Sequence, residues 1–386
     1  ADALLASARG ATGLESLGED TWRDGLVRLI DALKSEARLN DIGVQVAMGD
    51  VLLYLTNLLG IVDWHARHPE LARTDVVPPI VIVGQGRTGT TILHDVLAQD
   101  PANRVPLTWE VDKPLPPPES ATYGTDPRID ESQQQLAMTE LVIPGFKTMH
   151  PIGALHAQEC VRMTAGDFRS MIFPTQYRVP SYAKWLLYEA DMAPAYRWHR
   201  KYLQVLQSRH HGARWVLKSP GHVWCLPDLL AEYPNALLVQ THRDPLRIIA
   251  SLASLISTLR LLATDESPIA DGGQEFAEYR GPRPFRRGAR ERCRSRRARD
   301  RRPLPRLPRR SADHRARHLR SPRPRAHPGR GSAHARLHRG EPAGQARAAP
   351  LRLRRHRPRR RLLARALAAL PAVLRRRERE VSPGRP

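Results

Sequence analysis

Between residues 20 and 68 the apolar side chains recur at three- and four-residue steps. Leu26, Leu29, Ile30, Leu33 and Ala37 form one stripe, the pattern of an amphipathic helix. Asn40-Asp41 is a start signal for a second helix that takes in the apolar run Val51–Val62, and a third, short helix is expected around Ile61–His68, ending near Pro69. Pro78-Pro79 closes this helical region, and the pattern then changes. Ile80-Val81-Ile82-Val83 is a compact β-branched run without alternation, as expected of a strand buried on both faces of a parallel sheet. Thr91–Gln99 reads as a helix, Trp215-Val216-Leu217 and Ala236–Gln240 as further strands, and Leu226–Tyr233 as the crossover helix between them. Helical patterns also cover 131–142, 180–208 and 248–263, whereas 101–130, with PLPPP at 114–118, is expected to be a surface loop. Alternating strands and helices predict an α/β fold: a parallel β-sheet flanked by helices, with a helical N-terminal region over residues 1–77 and the sheet domain over 78–280.

Charge separates the last quarter of the chain from the rest. Residues 1–280 carry 26 Lys+Arg against 33 Asp+Glu, a net of −7, whereas residues 281–386 carry 36 Arg, no Lys and 6 acids, a net of +30. The whole-chain charge of +23 therefore belongs to the tail. From residue 286 onward there is no Phe, Tyr, Trp, Ile, Met, Lys, Asn or Thr. Such a composition cannot bury enough apolar surface to offset its ordering entropy, so a disordered Arg/Pro-rich C-terminal tail is expected. Cys160, Cys225 and Cys293 lack metal-ligand spacing, which fits a reducing compartment and gives no metal site. The run at 51–62 is too short for a membrane span, and no basic segment followed by an apolar one marks a signal peptide, so a cytoplasmic location is the expectation.

The stretch VIVGQGRTGTT, Val81 to Thr91, holds the candidate chemistry. Gly84 and Gly89 are separated by four residues and followed by Thr90 and Thr91, the spacing of a phosphate-binding loop in which lysine would stand at position 90. Backbone N–H groups of a glycine-rich turn and of the following helix start form an anion cradle, and Gly84, Gly86 and Gly89 permit close approach. Thr88, Thr90 and Thr91 can donate hydroxyls, and Arg87 supplies a cation in mid-loop. An ordinary glycine turn between strand and helix is the bland alternative.

GRTGTT at 86–91 resembles the loop of bacterial sulfotransferases, a branch of the P-loop sulfotransferase superfamily in which the cation precedes Gly-Thr-Thr. A second match is THRDPLRIIASLASL, Thr241–Leu255, where Arg243 at a strand end and Ser251 eight residues later keep the offset that this family uses for a 3′-phosphate. Trp215–His222, Pro106–Glu110 and the His68-Pro69-Glu70 element also look like that family. The resemblance implies 3′-phosphoadenosine 5′-phosphosulfate as co-substrate and no metal. Residues 84, 86–91, 243 and 251 would hold it, and a small-molecule, lipid or carbohydrate hydroxyl or amine would be the acceptor. Arg87 would stabilise the leaving phosphate and Lys218 would be a second cation; the base would be Glu110 or His222, with loop pairing to Lys113 and packing near Trp224 as their bland alternatives. His150, His156 and Glu159 are candidates for lining an acceptor pocket.

Two other functions compete. A small-molecule kinase on the same fold would want lysine where Thr90 stands, and a nucleic-acid-binding role would rest on the tail alone. The tail lacks the lysines and aromatic groups usual in such arms, and specific nucleic-acid binding is not expected. Arg, Pro and Ala without Lys is what GC-rich DNA gives when translated out of frame. Gln345–Pro358, back-translated with permitted codons and read after dropping one base, allows KHGRHRYDFADTGL, which resembles the family's C-terminal segment. A frameshift near residue 280 is therefore the expectation for 281–386, with an uncovered core edge and weak or no activity as consequences. The oligomeric state is open at this stage.

Overall fold

The structure, a computed structural model, describes residues 1–142 and 152–279. Four strands form one parallel sheet: β1 (Ile80–Val83), β2 (Asn103–Arg104), β3 (Arg214–Lys218) and β4 (Leu237–Gln240), in the order β2-β3-β1-β4. Ile80 lies opposite Val216 on one side and Leu237 on the other, which puts the phosphate-loop candidate at the carboxyl end of a central strand. The chain leaves β1 outward through α4 (Thr90–Leu97) to β2, and β3 reaches β4 by crossing over β1 through α11 (Leu226–Glu232). Loops that diverge in this way open the crevice in which α/β proteins bind ligands.

The N-terminal helices are α1 (Asp2–Thr12), α2 (Trp22–Ser35) and α3 (Asp41–Arg67). The two helices expected over 41–68 are one. Asn40 caps it through its side-chain oxygen, which accepts from the Gly43 N–H at 2.8 Å, and nothing breaks the ladder before His68-Pro69. Gly60, inside α3, leaves room for the Leu115 side chain. By length and composition α3 could cross a membrane, yet Leu55, Leu59 and Ile61 are fully buried in the protein core. Trp22, Leu26 and Leu29 carry the predicted α2 stripe into the same core.

The segment 101–130 is a correction to the expected surface loop. It holds β2 and a short helix, α5 (Thr108–Asp112), in which Trp109 and Glu110 are fully buried. The remaining helices are α6 (Arg128–Val142), α7 (Cys160–Thr164), α8 (Ile172–Gln176), α9 (Pro180–Tyr188), α10 (Ala193–Gln207), α12 (Pro245–Arg260) and α13 (Ile269–Tyr279). The helical pattern at 180–208 is divided because Pro194 must sit in the first turn of a helix. Arg260 fastens α12 to α13 and α8: it is buried, pairs with Glu275 at 2.6 Å and donates to the Pro174 carbonyl at 2.8 Å.

β4 is unlike the other long strands. Leu237, Leu238 and Val239 are 63%, 40% and 37% exposed, although successive residues face opposite sides of the sheet. Among the described residues no strand pairs with its outer edge. An apolar strand bare on both faces and along one edge is a template for self-association. Replacing Leu237 and Val239 together by Lys is expected to lower aggregation in light scattering while moving stability by no more than about 0.5 kcal/mol, the usual limit for exposed positions.

Candidate active site

The loop after β1 is held by the segment after β4. Gly84 has φ 151°, and a Cβ there would lie 2.5 Å from Thr241 Oγ1, so only glycine lets the two strand ends come this close. Thr88 Oγ1 donates to the Gln85 carbonyl at 2.6 Å, which leaves Thr241 Oγ1 to donate to Thr88 Oγ1, also at 2.6 Å. Gly89, at φ 94°, turns the chain into α4, whose first N–H groups face the loop. Thr90 is buried, and Thr91 is half-buried on the following position.

Arg87 adopts φ 69°, a conformation that costs a non-glycine residue on the order of 1 kcal/mol and that is characteristic of functional loops. Its Nε donates to Ser251 Oγ at 2.9 Å, and Arg243 Nη1 donates to the Arg87 carbonyl at 3.1 Å. Burial holds the Arg87 guanidinium below its usual pKa, with the nearby charge of Arg243 adding to the effect. Three residues singled out in two separate motifs thus converge. Asp244 caps α12 by accepting from the Leu246 N–H at 2.8 Å, and Arg243 is left facing solvent.

Lys218, at the carboxyl end of β3, is 1% exposed. Its Nζ forms an ion pair with Glu159 and lies 3.4 Å from Thr91 Oγ1, which joins the phosphate loop to the residue that starts α7. His94, one turn along α4, is buried below this group. Its Nε2 donates to the Val216 carbonyl at 3.0 Å, and burial, helped by the Lys218 charge, pushes its pKa down to about 4.

The two candidate bases have different fates. Glu110 is fully buried. Its Oε2 accepts from Arg104 Nη2 at 2.7 Å and its Oε1 from the Leu107 N–H at 3.0 Å and from the Tyr123 hydroxyl at 3.1 Å. Both oxygens help to brace the corner between β2 and α5. Lys113, the partner suggested by spacing, pairs with Glu131 instead. His222 is 2% exposed; its Nδ1 lies 2.8 Å from the Tyr196 hydroxyl, and burial pushes its pKa down to about 3. Such an imidazole is neutral and only weakly basic at neutral pH.

Glu159 was legible only as one of three polar residues near an acceptor pocket. Its pairing with Lys218 depends on a contact across 59 positions, which no local spacing signals. His156 is exposed on the approach to α7, and His150 lies outside the described residues. No group of His, Cys, Asp or Glu among the described residues could hold a metal ion.

The parallel sheet, glycine loop and converging arginines define a P-loop-type α/β fold. The chain matches the sulfotransferase family over residues 78–281 and belongs to it. Solved structures agree. The sulfotransferase STF9 from Mycobacterium avium is similar with a TM-score of 0.67 and 30% identity, over 77% of this chain and 76% of that one. STF1 from Mycobacterium tuberculosis H37Rv gives a TM-score of 0.65 and 31% identity, over 77% and 80%. A curated relative, the omega-hydroxy-beta-dihydromenaquinone-9 sulfotransferase Stf3 of Mycobacterium bovis, is 27% identical over 206 residues, 50% of this chain and 49% of that protein. The chain spans about half the length of the curated relatives it matches.

The buried histidines set a pH dependence. His94 and His222 resist protonation when folded, and so does His199, pushed down to about 3, but all three bind protons once unfolded, near pH 6.5. Stability is therefore full above that value and falls as pH drops from about 6.5 towards 4. Thermal unfolding between pH 7.5 and 5 should show this decline, and His222→Gln, which cannot take up charge, should make it shallower.

Proposed function

We propose that this chain is a sulfotransferase that moves a sulfonyl group from 3′-phosphoadenosine 5′-phosphosulfate to a hydroxyl or amine of a small-molecule, lipid or carbohydrate acceptor, without a metal. The observation that carries this reading is the convergence of Arg87, Ser251 and Arg243 at the carboxyl ends of β1 and β4. One glycine loop with a cation at 87 suits a phosphosulfate, and a second cation with a hydroxyl eight residues on suits a phosphate at the other end of the same nucleotide. Thr90 in place of lysine disfavours the kinase reading. The relative named for a menaquinone acceptor supports a lipid-like hydroxyl among the possible substrates.

In the reaction the acceptor oxygen or nitrogen attacks sulfur in line, and the bond between sulfur and the bridging phosphate oxygen breaks. Arg87, Lys218 and the loop N–H groups would stabilise the charge that develops on that oxygen, a role supported by the nearness of Lys218 to Thr91. We assign the proton to Glu159 rather than to Glu110 or His222. Glu159 is 17% exposed and stands beside Lys218, at the phosphate end of the site. Phosphate oxygens arriving at Lys218 would draw it from Glu159 and raise the proton affinity of the carboxylate at the moment a base is needed. A cytoplasmic location belongs to the same proposal.

The frameshift belongs to it too. The family match stops at residue 281, β4 is bare on both faces, and 281–386 has a composition without core-forming aromatics. Residues 1–77 would then be a helical region on the sheet domain 78–280, and the remainder a sequence read out of frame. Sequencing the gene across the codon for Arg280 decides this: an intact frame removes the idea.

For activity, 3′-phosphoadenosine 5′-phosphate is expected to raise the Tm and ATP to do so far less; the reverse order would favour the kinase. In a frame-corrected chain Arg87→Ala should lower kcat by roughly a hundredfold to a thousandfold. Glu159→Gln should lower kcat by a similar factor while nucleotide affinity, read by calorimetry, changes less than about threefold. Unchanged kcat in Glu159→Gln returns the base to another group.

A further inference from the structure

His94 takes no part in the bond-making steps, yet it is a fully buried imidazole on the second turn of α4. Burial keeps the ring neutral at physiological pH. Its Nε2 lies 3.0 Å from the Val216 carbonyl, which can only accept, so Nε2 carries the ring proton. Nδ1 is then a lone pair, and it has no hydrogen-bond partner among the described residues. A buried polar atom left without a partner is rare in a native fold and calls for a reason.

The ring lies in the corner between α4 and β3. Thr91 is one turn earlier on the same face of the helix, and Val216 precedes Lys218 by two residues on the strand. Lys218 Nζ reaches into this corner, 3.4 Å from Thr91 Oγ1. Both members of the ion pair act on the ring: the Lys218 charge disfavours its protonation and the Glu159 charge favours it. An ammonium has three N–H donors. Glu159 and Thr91 take two of them, and the third has no acceptor among the described residues. The corner therefore holds a buried donor short of an acceptor and a buried acceptor short of a donor.

We propose that His94 is a positioning residue for Lys218, its Nδ1 lone pair becoming an acceptor for the ammonium when a phosphate of the nucleotide replaces Glu159. One N–H then stays on Thr91, one turns to Nδ1, and the last is aimed at the oxygen that bridges phosphorus and sulfur. An ammonium released by Glu159 without this anchor would keep the freedom of its four-carbon stem, and its charge would be spread over several positions. The bond to the Val216 carbonyl sets both the tautomer and the orientation of the ring, so the lone pair is in place before the nucleotide arrives. The proton of Lys218 is not transferred, and Glu159 is freed to act on the acceptor. This deepens the sulfotransferase reading and rests on it.

Nitrogen-15 NMR of the unmodified full chain reads Nδ1 directly. Saturation with 3′-phosphoadenosine 5′-phosphate should move the His94 Nδ1 resonance upfield, as an unprotonated ring nitrogen moves on accepting a hydrogen bond. Two variants separate this role from support of the strand. Asparagine places an oxygen close to where Nδ1 lies but cannot reach Val216, whereas glutamine reaches Val216 and offers nothing at Nδ1. By calorimetry His94→Asn is expected to bind the nucleotide within about twofold of the unmodified chain, and His94→Gln about tenfold more weakly. The reverse order, which a bracing role alone would give, overturns the proposal, and so does equal binding by the two variants. An unmoved Nδ1 resonance in the saturated chain also overturns it, and that measurement decides even where a variant fails to fold. Failure of the unmodified chain to bind the nucleotide at all sinks the sulfotransferase reading itself, and this proposal with it, so the two failures are distinguishable.

Discussion

A single buried charge governs the layout of the site. Lys218 leaves the end of β3 with 1% of its surface in contact with solvent, and an ammonium in that position must find an anion or be displaced. Glu159 answers it from the start of α7. That requirement draws the helical layer holding α7, α8 and α9 onto the carboxyl end of the sheet, where the glycine loop also ends. Thr91 and His94 then lie beside that ion pair. Removing either partner alone would strand the other, at a cost on the order of 3–5 kcal/mol.

The sheet was readable in the sequence because its strands are continuous apolar runs flanked by helix patterns. Ile80–Val83, Trp215–Leu217 and Leu237–Gln240 all appear within one or two residues of their expected places. The loop and the Arg243–Ser251 pair were legible as motifs, since their spacing is local. What was not legible depended on long-range contact. β2 is two residues long and exists because Arg104 lies opposite Trp215. α5 carries no helix signal beyond a few residues, yet the burial of Trp109 and the Arg104–Glu110 pair make it a core element. Glu110 was singled out by its distance along the chain from Arg87, whereas its pairing with Arg104 is visible only in space.

Arg87 shows how function is written into the backbone. A left-handed arginine is maintained by Gly84 on one side, by the Thr88–Thr241 hydroxyl pair beneath it and by Arg243 on its carbonyl. Burial lowers the pKa of Arg87 and the charge of Arg243 adds to the effect, so an anion between the two cations would relieve their repulsion. In the proposed reaction that anion is a phosphate of the nucleotide, and its arrival would relieve a conflict already present in the loop.

β4 has a consequence for the life of the chain inside a cell. Leu237, Leu238 and Val239 lie open to solvent on a fold in which Arg87 and Ser251 are already joined. Chaperones and proteases recognise short extended apolar segments without regard to what the rest of the molecule can do. A polypeptide with an intact loop would then be cleared as if it were unfolded, and its abundance would be set by three residues of sheet edge and not by its chemistry.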